Sequence, residues 1–233
     1  MSIKFEIKRM IALLLLAAFA YALLLLRGNI LGVRAYSFMP WNLFLALVPY
    51  GISCIMLLIV NFKKSNQRTF GLIVLGVLWL LFFPNAPYLF TSYMIFARIF
   101  EFEGEIIIFT LQPWYDFVLF TSFIWCGILA GLASLGIVHG IIEKQIGKIT
   151  GWVAVVTVNL LSSWAIYLGR FIRLNSWYVF TNPEVLLPYI WLCGERVFFI
   201  FLFGIFMVLV YIVVYFFIGR ENSNRREKKK DLE

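Results

Sequence analysis

Charge is scarce in this 233-residue chain. Asp, Glu, Lys and Arg make up 14% of it, hydrophobic residues make up 63%, and the mean hydropathy is +0.92. That balance excludes an ordinary soluble domain, in which about a quarter of the residues are charged. Histidine occurs once, as His139, and the three cysteines, Cys54, Cys126 and Cys193, are scattered through apolar runs. They supply neither a disulfide framework nor a metal-ligand spacing, and no cofactor is expected. Ten-residue segments of alternating polarity are lacking, which excludes a transmembrane β-barrel. Also missing are a metalloprotease helix motif, a nucleophile elbow, a Walker loop and a dinucleotide glycine pattern.

What the chain has in abundance is long apolar runs. A hydrocarbon layer of about 30 Å needs about 20 helical residues to cross it. Six runs meet that length, at about 10–26, 41–62, 70–96, 114–142, 151–168 and 189–218. The expected fold is an all-α polytopic transmembrane bundle forming a single membrane domain, with a basic tail over 219–233. Basic residues set its orientation. With the N-terminus inside, the inner segments hold fourteen, whereas the outer segments hold five: Arg27, Arg34, Arg98, Arg170 and Arg173. By the positive-inside rule both termini are cytoplasmic. The first run is followed by Arg27-Gly28-Asn29 rather than a small-residue cleavage site, so it reads as a retained anchor helix. The tail cluster at 225–230 reads as a topology anchor against anionic lipid head groups. Nucleic acid is not an expected partner, because no folded basic surface is present.

Landmarks recur along the chain. Arg27, Arg98 and Arg170 each close an outward-going helix, 71 and 72 residues apart. Pro40-Trp41, Pro113-Trp114 and Pro188-Tyr189 each open the following one. Proline suits a first helical turn, and an aromatic residue suits the head-group layer. Three stacked hairpins of common descent would produce this pattern. Six helices of similar length meeting one interface would produce it too, and the second explanation is favoured because little similarity extends beyond the landmarks. Of the outer loops, one carries Glu101, Glu103 and Glu105, and the longest begins at Arg170 and Arg173.

Polar and helix-breaking groups at membrane depth are costly, so where they collect is where a site is sought. Asn85 lies between Pro84 and Pro87 in a run that otherwise continues to Phe96. Each proline removes a helical hydrogen bond, which predicts a break in the third helix and freed carbonyls before it. Asn85, Tyr88, Thr91 and Ser92 are the candidates to satisfy them. In the fourth span Asp116, Phe123, Gly127 and Ser134 share one face, and Gly127 with Gly131 offers a small-residue surface for close helix contact. In the fifth, Asn159, Ser163 and Arg170 share a face. The two faces are expected to meet, pairing Asp116 with Arg170 or Arg173. Such a pair either fixes helix register or, with Asn175 and with Glu195-Arg196 of the sixth span, belongs to an outward-facing site for a phosphate or carboxylate group.

The combination of Trp41-Asn42-Leu43-Phe44-Leu45-Ala46, Leu81-Phe82-Phe83-Pro84-Asn85-Ala86-Pro87-Tyr88-Leu89, Trp114-Tyr115-Asp116 and Gly169-Arg170-Phe171-Ile172-Arg173-Leu174-Asn175-Ser176-Trp177 resembles a family of bacterial multispanning proteins. That family is catalogued as domain of unknown function 1361. The resemblance runs from about residue 39 to 218 and implies a bacterial cytoplasmic membrane location. It implies no activity, substrate or catalytic residue. Tyr178 stands where the family pattern leads one to expect an acidic residue. Three functions stay open on the residues alone. One is binding or transport of an anionic or lipid-like molecule, with membrane lipids as partners. Another is a structural subunit of a membrane complex. The last is an enzyme on a membrane-embedded substrate, with Asp116 or Glu195 as acid or base.

Overall fold

The computed structural model describes residues 3–31, 35–101, 111–172, 181–182, 184 and 194–230. Among these, all regular structure is helical. Helix α1 spans Ile3–Leu31 and α2 spans Met39–Val60. The third span is interrupted: α3 (Asn66–Phe82), one turn α4 (Asn85–Tyr88), a 3-10 turn at Leu89–Thr91, then α5 (Ser92–Glu101). Helix α6 covers Leu111–Gln145, and α7 covers Lys148–Tyr167 and ends in a π-helical turn at Leu168–Ile172. Helix α8 is Glu195–Lys230. Six of the helical stretches are long and apolar enough to cross a membrane. The chain is therefore a multi-pass membrane protein in architecture.

Local chemistry sets the helix ends. Pro40 occupies the first turn of α2, and the Ser65 hydroxyl accepts from the Arg68 amide (3.2 Å) to start α3. Gly147, at φ +147°, turns the chain from α6 into α7, a conformation that side chains resist.

Helix α6 is the axis of the bundle. Its apolar stretch is 72% buried, against 11–39% for the other five spans. Around it pack α1, α2, the broken third span and α7, while α8 leans mainly on α7. Helix α1 packs on α6 far more than on α2, its neighbour in sequence. A stacked hairpin would pair α1 with α2 first, so this packing favours the shared-interface explanation of the arginine and proline landmarks. Large apolar side chains point outward throughout, among them Leu15, Phe70 and Phe217. Such a surface suits lipid tails rather than water.

Polar groups inside the bundle are tied down locally. Ser134 of α6 donates to the Pro49 carbonyl of α2 (2.9 Å) and accepts from the Trp79 indole of α3 (2.6 Å). Both Ser134 and Trp79 are buried, so this hydroxyl satisfies two groups that lipid cannot. Ser134→Ala leaves the indole N–H without a partner and is expected to cost about 1–3 kcal/mol. Thermal unfolding of the purified variant in detergent measures it; a midpoint equal to that of the parent would refute the assignment.

Candidate functional site

Helix α1 shows its face to α6 through a strict seven-residue interval. Glu6, Leu13, Ala20 and Arg27 are its buried positions. At one end the Glu6 carboxylate is held by Arg9 (3.0 Å) and the Tyr50 hydroxyl (3.2 Å). Midway, the Cys126 thiol and the Tyr115 hydroxyl of α6 donate to the Leu13 and Leu23 carbonyls. At the other end Arg27 grips Asp116 with a planar fork: Nε donates to Oδ1 at 2.7 Å and Nη2 to Oδ2 at 2.8 Å. Arg27 is 2% exposed and Asp116 1%. Such bidentate pairing is the form in which charges survive at this depth.

Tyr36 completes the clasp. Its hydroxyl donates to Asp116 Oδ2 (3.1 Å), its ring lies 4.8 Å beneath the Arg27 guanidinium, and its edge meets Phe120. The residue sits at φ +65°, a left-handed conformation that costs a non-glycine residue roughly 1–2 kcal/mol. These three contacts hold it there. Burial, and after it the Asp116 carboxylate, push the Tyr36 hydroxyl up to about 12. It therefore keeps its proton, and remains a donor, across the physiological range.

The interruption of the third span is the second polar locus. Helix α3 ends at Phe82, two residues before Pro84, and the Asn85 side chain donates to the freed Phe82 carbonyl (2.9 Å). The Thr91 hydroxyl likewise donates to the Tyr88 carbonyl (2.7 Å). Two glycines of α6 make room for this segment. A Cβ at Gly131 would lie 2.7 Å from the Ala86 Cβ, and one at Gly127 would lie 2.2 Å from Leu89 Cδ1. From the far side Arg170, in the π-turn after α7, donates through Nη2 to the Thr91 carbonyl and through Nη1 to the Tyr88 hydroxyl (3.4 Å). Its guanidinium also faces the Tyr88 ring at 5.3 Å. Arg170 is half-buried, and among the described residues no carboxylate pairs with it. Next to Thr91, the Ser92 hydroxyl is fully buried and has no hydrogen-bond partner among the described residues.

The model of a family described as a protein of unknown function, DUF1361, matches residues 41–212. The chain belongs to that family. No curated protein and no solved structure matches it. In this DUF1361 member the matched region takes in Asp116, the interrupted third span and Arg170, whereas Arg27 and Tyr36 lie before it. The carboxylate and its cation thus come from different parts of the chain, one inside the family match and one outside.

Two expectations about geometry fare differently. The predicted break, the Asn85 hydrogen bond to a carbonyl freed before it and the close contact at Gly127 and Gly131 are present, whereas Thr91 donates to the Tyr88 carbonyl inside the break rather than to one freed before it. The pairing of Asp116 with Arg170 is not. Asp116 faces α1, where Arg27 neutralises it, and Arg170 turns instead to the broken span. Arg173 and Asn175 lie outside the described residues. Asn159 and Ser163 are buried in α7, but each side chain donates to the carbonyl four residues back, Val155 and Asn159 respectively. Ser163 also marks where α8 comes close, since a Cβ at Gly204 would stand 3.2 Å from its hydroxyl. Glu195 is exposed and Arg196 half-buried where the described part of α8 begins. Among the described residues no ion pair links Glu195 to Asp116 or Arg170.

Sequence reasoning missed Arg27 and Tyr36 as partners of Asp116. The signal was the heptad itself, which aligns Arg27 with Leu13 and Ala20 on one face of α1.

The single histidine is packed rather than exposed. His139 Nδ1 lies 2.7 Å from the Tyr211 hydroxyl, and Trp152 and Tyr215 enclose the ring. Gly151 backs onto it, for a Cβ there would sit 2.8 Å from the imidazole.

Proposed function

We propose that this protein binds an anionic group, a phosphate or carboxylate, at the broken third span, with Arg170 as the residue that meets the charge. The observation that carries the reading is the contrast between two arginines. Arg27 is neutralised by a bidentate carboxylate, whereas among the described residues Arg170 is held by neutral acceptors, a carbonyl and a phenol. The remaining N–H donors of its guanidinium suit an oxyanion. Asp116, by contrast, belongs to a structural clasp.

Binding fits better than passage across the bundle. Asn159, Ser162 and Ser163, the polar groups deeper in α7, each donate to a carbonyl of their own helix four residues back. Among the described residues these groups serve the helix rather than form a chain of hydrogen-bonding steps for a solute. The orientation that goes with this reading puts the Arg27 and Arg170 end on the extracytoplasmic side of a bacterial cytoplasmic membrane, as the excess of basic residues at the other end favours.

The test is ligand protection of purified protein in neutral detergent. Added inorganic phosphate or an anionic amphiphile should raise the unfolding midpoint saturably. Arg170→Gln, which removes the charge and shortens the side chain, should weaken that protection about ten- to a hundredfold, the worth of a charged hydrogen bond. Equal protection of parent and Arg170→Gln would refute the proposal.

A further inference from the structure

Arg170 stands at the head of an aromatic seam between α7, α8 and the broken span. On α7, Tyr167 and Phe171 stack at 4.9 Å, and both meet Phe199 of α8, at 5.8 and 5.2 Å. Phe199 lies parallel to Phe203 (5.6 Å, 6° between planes), and Phe203 approaches Phe206 (6.2 Å). Phe203 and Phe206 then reach across to Phe90, at 6.2 and 5.2 Å. Phe90 precedes Thr91, whose carbonyl holds Arg170. The seam is thus continuous with the cation.

Its direction matters. Phe199, Phe203 and Phe206 follow the i, i+4, i+7 pattern and occupy one face of α8, so the row descends about 10 Å along the helix. Phe90, Phe199 and Phe203 are half-buried, and Phe206 is 39% exposed. Helix α8 packs its backbone chiefly on α7 and meets the broken span through these rings. The broken span and α8 thus meet here through tilted rings, side chains that change rotamer without moving either backbone. At the head of the seam is a cation that no carboxylate among the described residues pairs with, and below it is an apolar wall, a pattern complementary to an anionic amphiphile.

We propose that the ligand at Arg170 is a membrane lipid with a phosphate head group, its phosphate on Arg170 and one acyl chain along the Phe199, Phe203 and Phe206 row. This rests on the anion-binding reading of Arg170 and adds the chain. Lipid tails gain little from leaving other tails, so selectivity for the seam comes from close contact with the rings and from the charge at its head.

The experiment compares three probes on the full chain in neutral detergent: dioleoyl phosphatidic acid, dioleoylglycerol and inorganic phosphate. Unfolding midpoints and native mass spectrometry report binding to the parent, Arg170→Gln, Phe203→Ala and Phe198→Ala, the last on a 70% exposed residue off the row. Phosphatidic acid should bind the parent more tightly than either other probe. Arg170→Gln should remove the advantage over dioleoylglycerol. Phe203→Ala should weaken phosphatidic acid binding roughly threefold, in the range of one aromatic contact, and leave phosphate binding unchanged, whereas Phe198→Ala should change neither. If inorganic phosphate protects as well as phosphatidic acid, or if Phe203→Ala matches Phe198→Ala for the lipid, the acyl-chain seam is overturned and the anion site stands. If neither anion protects, or Arg170→Gln changes nothing, both fall. Should Phe203→Ala yield no folded protein, Phe203→Leu, which keeps an apolar side chain but removes the ring, takes its place.

Discussion

Arg27→Ala is expected to lower the stability of the bundle by about 3 kcal/mol and to deplete the folded protein in membranes. The cost arises from what is left behind. Asp116 is 1% exposed and accepts three hydrogen bonds from the described residues, two of them from Arg27. Among these, without Arg27 its carboxylate keeps the Tyr36 hydroxyl alone, which itself loses the guanidinium that covered its ring. Removing one partner of a buried pair typically costs about 3–5 kcal/mol. Polar contacts in membranes average nearer 0.6 kcal/mol, because the unfolded state in the bilayer finds partners too. The higher range governs here, since the contact is bidentate, charged and almost sealed. Asp116→Ala should cost less than Arg27→Ala. The long Arg27 stem lies near the end of α1 and can carry its charge toward the head groups, whereas a carboxylate on one methylene cannot. Replacing both, as Arg27→Met with Asp116→Leu, should recover most of the loss. Unfolding midpoints of the three variants in one detergent decide the matter. Additive losses in the double variant would show that the two residues act separately.

This clasp also marks the limit of what the residues alone could say. The six spans were legible because each is a long apolar run, and among the described residues their ends lie within six residues of the expected ones. The break at Pro84 was legible because proline chemistry is local. The contact surface at Gly127 and Gly131 was legible because small residues four apart have few other uses inside a bilayer. Partnership was not. Helical spacing correctly places Asp116 on the face that carries Gly127 and Ser134, but spacing does not say which neighbour that face meets. The adjacency of α6 and α7 suggested Arg170, and the polar Asn159 and Ser163 strengthened the suggestion. Those two side chains turned out to serve their own helix. Meanwhile the α1 heptad brings Arg27 to Asp116 from 89 residues away.

Gly131→Ala tests whether the broken span is seated as the structure places it, because two opposing effects have known sizes. Replacing glycine by alanine inside a helix gains about 1 kcal/mol of helix stability. Against that, the new Cβ would stand 2.7 Å from the Ala86 Cβ, which cannot rotate away because it is fixed to the backbone. An ordinary carbon contact is about 3.5–4.0 Å, so the segment must retreat by about 1 Å or the helices must part. Overpacking of that kind costs about 1–3 kcal/mol, enough to cancel or outweigh the helical gain. Gly140 on the same helix supplies the control, since a Cβ there meets nothing within 4 Å. Gly140→Ala is therefore expected to be neutral or stabilising, and Gly131→Ala to lie about 1–3 kcal/mol below it. Gly131→Leu magnifies the clash and should prevent the fold from closing. The displacement has a second consequence, because the same segment carries Tyr88 and Thr91, the two residues that hold Arg170. Gly131→Ala should then weaken phosphate protection as well as stability, while Gly140→Ala leaves it intact. Equal midpoints for the two alanine variants would mean that Ala86 does not rest on Gly131, and the seat of Arg170 would have to be sought elsewhere.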